Sequence, residues 1–157
     1  ACPSCYHTWK KEYKTDAEPL HSTQFIERLI NEGKSIFNNG AHKTVTYHDP
    51  CDLGRNSGVY DPPRNILKKI PNLNLVELEG DRQLSVCCGG GGDLEMIDPD
   101  LSAAIAERKI DEILKTEAEE VVTSCQQCIR TISGYARKHK IKLKIKDITE
   151  VVLEAIR

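Results

Sequence analysis

Apolar residues along this chain keep two periods, one helical and one extended. After Cys5 a helical segment runs from Tyr6 to Tyr13, and a second places Phe25, Ile26, Leu29 and Ile30 on one face. Ser22 is suited to cap that second helix and Gly33 to end it. The polar run Asn38-Asn39-Gly40 breaks the pattern, and Thr44 to Tyr47 reads as a short buried strand. Asp61-Pro62 then opens a helix that turns Ile66, Leu67 and Ile70 inward before Pro71 stops it. A strand is predicted at Leu75 to Leu78, and a longer helix from Pro99, capped by Asp98, with Leu101, Ile105, Ile113 and Leu114 buried.

Val121 to Thr123 is the next predicted strand, and Ile129 onward continues as a helix to about Lys138. Ile141, Leu143 and Ile145 alternate with three lysines, the pattern of a strand with one wet face near a sheet edge. Asp147 and Glu150 form a capping box for a final helix. Strands alternating with helices predict an α/β fold with a parallel, doubly wound, Rossmann-like sheet and flanking helices. Such sheets carry their sites beyond the carboxyl ends of the strands, which is where the cysteines fall.

Composition narrows the function classes. A net charge of −2 with mixed signs leaves no basic stripe to hold a nucleic-acid backbone. No stretch approaches the roughly 20 apolar residues of a membrane span, so no direct span is expected. No export signal precedes the opening Cys-x-x-Cys, and the sequence reads as part of a longer one. Seven cysteines, an odd number, cannot all pair within one monomer. A reducing, cytoplasmic compartment is expected, where grouped thiols are metal ligands or redox groups rather than structural bridges.

The candidate chemistry is Cys-x35-Cys-Cys-x36-Cys-x-x-Cys, formed by Cys51, Cys87, Cys88, Cys125 and Cys128. Thiolates are soft ligands that suit iron–sulfur clusters, zinc and copper(I). Adjacent cysteines reach one tetrahedral ion only with strain but serve different irons of a polynuclear cluster readily. Five thiols also exceed the four that structural zinc takes. Gly89 and Gly90, the first of four glycines, let the backbone approach inorganic sulfur and aim amides at it. The glycine run lacks the Lys-Ser/Thr of a phosphate loop, and Leu94 stands where a dinucleotide fingerprint has glycine.

His48-Asp49-Pro50-Cys51, Gly54-Arg55, Gly58 to Arg64, Cys87-Cys88 with Gly89 to Gly92, and Cys125-Gln126-Gln127-Cys128 together resemble the CCG cysteine-rich domain family. That family includes the B-type and D-type subunits of heterodisulfide reductase, the K-type subunit of the sulfite-reduction-associated membrane complex, and iron–sulfur subunits of glycolate and lactate oxidases. The details are most similar to the D and K types. The resemblance implies a noncubane 4Fe-4S cluster held by the five matching cysteines, at which a disulfide is split in two one-electron steps. It also implies an electron-donating iron–sulfur or membrane subunit as partner, membrane association only through that partner, and a disulfide or thiol substrate. Zinc in a structural or docking module of a larger oxidoreductase complex is the alternative.

Cys2 to Thr8 echoes Cys125 to Thr131, which suggests a duplicated unit. Residues 1–40 are then expected to be the tail of an upstream cysteine-rich repeat, and residues 41–157 the cluster-binding domain. Cys2 and Cys5 are remnants of a first site on that reading, or a thioredoxin-like redox pair on another. His48 and Asp49 either orient Cys51 or relay a proton, or simply form a hydrogen-bonded turn. His21 is expected as a capping or surface residue. Arg55 and Arg64 either screen the charge of a cluster or hold an acidic substrate, or are solvated.

Overall fold

The computed structural model describes residues 1–34, 37–40 and 42–156. Four parallel strands form one sheet: β1 (Lys43–His48), β2 (Leu73–Val76), β3 (Glu120–Thr123) and β4 (Ile145–Asp147), in the order β2-β1-β3-β4. Helices α1 (Pro3–Glu12) and α2 (Ser22–Asn31) precede the sheet. Helix α3 (Asp61–Lys69) joins β1 to β2, α4 (Leu94–Ile97) and α5 (Pro99–Leu114) lie between β2 and β3, α6 (Gln126–Lys138) joins β3 to β4, and α7 (Ile148–Ile156) follows.

Successive side chains of a strand face opposite sides of the sheet, and β3 shows the consequence. Val122 joins Val45, Tyr47, Ile66, Leu67 and Ile148 in a core on one face, beneath α3 and α7. Val121 joins Ile110, Ile113, Ile132 and Ala136 on the other, beneath α5 and α6. A helical layer on each face of a parallel sheet is the doubly wound arrangement the sequence predicts.

The strand order sets the place of the site. β1 and β3 are neighbours, paired from Val45↔Glu120 to His48↔Thr123, yet the chain leaves β1 toward β2 and leaves β3 toward β4. Connections that diverge from adjacent strands open a crevice beyond their carboxyl ends. Cys51 follows β1 and Cys125 follows β3, so both border that crevice.

Several local expectations are corrected. β2 begins two residues early, with Lys43↔Leu73 and Thr46↔Val76, and Leu78 leaves the strand to pack beneath the opposite face. Of the lysine-alternating segment only Ile145–Asp147 is strand, pairing with Val121 to Thr123, while Ile141 and Leu143 pack on the second core without a ladder. Helix α5 buries Ser102, Ala106, Lys109, Ile110 and Ile113, and leaves Leu101 and Leu114 48% and 47% exposed. The buried stripe includes a lysine whose charge is matched one turn later by Glu112, which hydropathy alone does not reveal. Helix α1 starts at Pro3, not Tyr6, and α6 at Gln126, not Ile129. His21 rather than Ser22 caps α2, and Phe25 points outward while Ile26 and Ile30 meet the core.

The expected caps of α5 and α7 are present. Asp98 Oδ1 accepts from the Leu101 amide at 3.0 Å, and Glu150 Oε2 accepts from the Asp147 amide at 2.9 Å. The expected boundary between residues 40 and 41 lies beside Ala41, which is outside the described residues. Among the described residues no helix is long and apolar enough to cross a membrane.

Candidate metal centre

Three separate segments deliver thiols to the crevice. After β1 the chain makes a tight turn in which the Gly54 amide donates to the Pro50 carbonyl at 2.9 Å and the Asn56 amide to the Cys51 carbonyl at 3.0 Å, holding Cys51 at the rim. The loop before α4 carries Cys87 and Cys88. Gly89 turns it sharply at φ +88°, so that its amide donates to Cys87 Sγ at 3.4 Å. Cys125 stands at the amino end of α6, and Cys128 sits in its first turn with its thiol buried. The Cys-x-x-Cys spacing thereby directs two sulfurs to one side of a helix start.

All five thiols line one cavity of about 530 Å³, together with Gly90 to Gly92. Their protonation is linked along one series, Cys51 with Cys87, Cys87 with Cys88, Cys88 with Cys128, and Cys128 with Cys125. Another hollow, of about 550 Å³, is bordered by charged groups instead, among them Glu79, Arg108 and Lys115.

Electrostatics along the series alternate. Cys87 is held far below the usual thiol range by hydrogen bonds from Cys51 and Cys88. The bond with Cys128, helped by the amides of Cys128 and Gln127 against burial, lowers Cys125 to about 7. Cys51 is raised by its bond to Cys87 and by burial. At Cys88 the bond with Cys128 favours the thiolate, but the bond to Cys87 and burial outweigh it and push the group up to about 12. Bonds to Cys125 and Cys88, then burial, raise Cys128. Five sulfurs so close cannot all be thiolates without a cation among them, and a metal centre would take the place of the shared protons. The all-sulfur donor set, the cavity between the sulfurs and the glycine backbone beside them fit a polynuclear cluster.

The second glycine is confined by packing rather than by its backbone angle. A Cβ on Gly90 would lie 1.8 Å from Thr131 Oγ1 and 2.8 Å from Gln127 Nε2, both on α6. Thr131 and Gln127 thus press the loop onto the helix that bears Cys128, a role the sequence did not signal.

His48 is fully buried at the end of β1, where the Thr123 hydroxyl donates to its carbonyl at 3.0 Å. A ring nitrogen of His48 and the sulfurs of Cys88 and Cys128 lie within 4.8 Å of one another. Burial, then the charge of Lys109, hold its imidazole down to about 3. The Asp49 carboxylate is taken up by Arg64, which is 1% exposed against it, so this arginine is neither solvated nor free to hold a substrate. Arg55 donates to the Ser85 carbonyl and ties the turn of Cys51 to the segment before Cys87.

Cys2 and Cys5 stay outside the thiol series. Cys2 caps α1, its sulfur accepting from the Cys5 amide at 3.4 Å, and Cys5 is exposed. The start of α1 nevertheless borders the cavity through Pro3 and Ser4, and the Ser4 hydroxyl donates to Asp52. His21 is buried rather than on the surface, and caps α2 through Nδ1.

By class this is a cysteine-rich α/β domain with a thiol site at the carboxyl end of a doubly wound sheet. The family model described as cysteine-rich domain, CCG, matches residues 45–133, more than half of the chain, and the protein belongs to that family. Over 99% of its length the chain is 33% identical to the D-type subunit of dihydromethanophenazine:CoB–CoM heterodisulfide reductase from Methanosarcina acetivorans, and it covers 40% of that protein. It is 31% identical over 98% of its length to a probable iron-sulfur-binding oxidoreductase, FadF, of Bacillus subtilis, covering 23% of it. The B-type subunit of fumarate reductase (CoM/CoB) from Methanothermobacter marburgensis is 33% identical over 96% of the chain, which covers 30% of that protein. The chain thus spans well under half the length of these relatives.

Proposed function

We propose that this chain is the cluster-holding domain of an iron–sulfur oxidoreductase subunit, with a noncubane 4Fe-4S cluster held by Cys51, Cys87, Cys88, Cys125 and Cys128. The observation that carries the reading is the unbroken series of five thiols around one cavity at the switch point of the sheet. Its relatives' names, an iron-sulfur-binding oxidoreductase and reductase subunits, support the same class. Within the chain, residues 41–157 form the site-bearing unit and residues 1–40 belong with an upstream repeat.

When bound, such a cluster supplies one-electron redox chemistry and iron sites at which a sulfur–sulfur bond can be cleaved. The residues of this chain do the rest. Five soft ligands from three segments fix the centre, and the Gly89 turn and the first amides of α6 aim N–H groups at sulfur. The mouth of the cavity beside Asp52 and Ser4 is where a disulfide would enter. Its reduction to two thiols consumes two electrons and two protons, the electrons delivered by an iron–sulfur or membrane partner subunit on the cytoplasmic side.

A structural zinc site is the second reading, favoured by the closeness of His48, Cys88 and Cys128 alone. The test is anaerobic purification of the chain followed by metal analysis. Brown protein that holds about four irons and becomes paramagnetic on oxidation is expected. Colourless protein that takes one zinc and no iron overturns the proposal.

A further inference from the structure

His48 is a buried polar group beside the thiol site that the fold leaves without a side-chain partner among the described residues. Its side chain is fully buried, and neither Nδ1 nor Nε2 has a hydrogen-bond partner there. A neutral imidazole always presents one N–H donor and one lone pair, so this burial strands a donor in the protein interior. Such a group costs free energy unless something absent from the chain itself satisfies it.

The surroundings indicate what that is. The side chain sits where β1 and β3 run side by side, its ring nitrogen within 4.8 Å of the sulfurs of Cys88 and Cys128. The charged neighbours acting on the ring are Lys109, Asp49 and Cys87. Two of these are already engaged: Lys109 pairs with Glu112, and Asp49 is held by Arg64 and by the Arg82 amide. The two sulfurs beside the ring belong to residues that line the cavity, so the ring stands directly behind the cavity wall.

We infer that His48 donates a hydrogen bond to a sulfur atom of the bound centre, inorganic or cysteinyl, and thereby raises its reduction potential. The inference rests on the iron–sulfur reading above. A donor aimed at cluster sulfur stabilises the extra negative charge of the reduced state, so the group acts on potential more than on assembly. It is not needed as a ligand, because five cysteine sulfurs already surround the cavity.

The stranded donor makes opposite predictions for the metal-free and the loaded protein. In His48→Leu the metal-free protein loses an unsatisfied polar group and unfolds at the same or higher urea concentration than wild type. The loaded variant keeps its iron, and its midpoint potential shifts to more negative values with an altered paramagnetic signal. His48→Asn or His48→Gln, whose amides retain a donor, returns the potential toward wild type.

Three results would overturn the inference. One is an unchanged potential and spectrum in His48→Leu. Another is loss of iron from that variant, which would make His48 a ligand. The third is a metal-free His48→Leu that fails to fold, which would make the ring a structural contact. Iron content of the wild-type chain is read first. Zinc without iron there sinks the cluster reading itself, whereas the three results above sink the role of His48 alone.

Discussion

Gly90 and Thr131 touch so closely that the loop bearing Cys87 and Cys88 has no room for a side chain at this point: a Cβ on Gly90 would stand 1.8 Å from the Thr131 hydroxyl oxygen. The Thr131 Cβ, at 2.9 Å, blocks the same space even if the hydroxyl rotates away. Gly90→Ala is therefore expected to push the loop off α6 and to destabilise the protein by about 1–3 kcal/mol. Thr131→Ala in the same chain should restore part of the loss. Gly91→Ala is the control, since nothing lies within 4 Å of its Cβ position and it should change stability by less than about 0.5 kcal/mol. Urea unfolding of the three variants reads the difference, and equal midpoints for the Gly90 and Gly91 variants would contradict the packing.

Arg64 holds Asp49 with both terminal nitrogens, at 2.8 Å to Oδ1 and 2.7 Å to Oδ2, while its Nε and Nη2 reach Glu77. The Arg82 amide donates to the same Asp49 carboxylate at 2.9 Å. One carboxylate thus binds α3 and the segment leading to Cys87 to the end of β1, two residues before Cys51. Removing one partner of a buried pair leaves the other charge uncompensated. Arg64→Met should lower stability by about 3–5 kcal/mol. Iron retention should fall with it, while Arg82→Ala, which keeps its amide, should retain both. Denaturant titration with iron analysis of the same samples tests this, and a stable Arg64→Met would show that Asp49 is held by other means.

How far this arrangement was legible depends on whether a feature is local. Alternation and caps marked the strands and helix starts, and the rule that sites lie beyond parallel strand ends placed Cys51 and Cys125 together. Spacing singled out the five cysteines but could not say which touch, because that depends on how three segments fold back on one another. The buried face of α5 was misread because Lys109 looks like a solvated residue until its pairing with Glu112 is seen. Arg64 was open for the same reason: its partners, Asp49 and Glu77, lie 15 and 13 residues away, on other elements. The Gly90–Thr131 contact spans the loop and α6, and no sequence pattern announces it.

Cys88 occupies the middle of the thiol series, between Cys87 and Cys128, and is buried. Cys88→Ser places a hard oxygen where a soft ligand is required. If five thiolates hold a polynuclear centre, this variant should lose iron or hold an altered cluster with a changed paramagnetic signal. A zinc site, with or without Cys88, would show no iron in the wild type to lose. Iron content and spectrum equal to wild type would argue against the five-thiolate centre.

His21 links acidity to stability where α2 begins beside α1. Its Nδ1 accepts from the Thr23 amide at 3.3 Å and its ring is buried beside Tyr6, so the fold requires the neutral form with Nδ1 unprotonated. Burial lowers the group to about 4 from an ordinary value near 6.5. Between those values the unfolded chain binds the proton and the folded chain does not, so stability falls as pH drops from about 6.5 to about 4 and loses nothing more from this group below that. A shift of that size corresponds to roughly 3 kcal/mol. His21→Asn keeps a good helix cap but cannot titrate, so between pH 7 and 4.5 the metal-free variant should lose about 2 kcal/mol less than wild type. Other titrating groups cancel in that comparison, and parallel losses in the two proteins would exclude His21 as the acid-sensitive element.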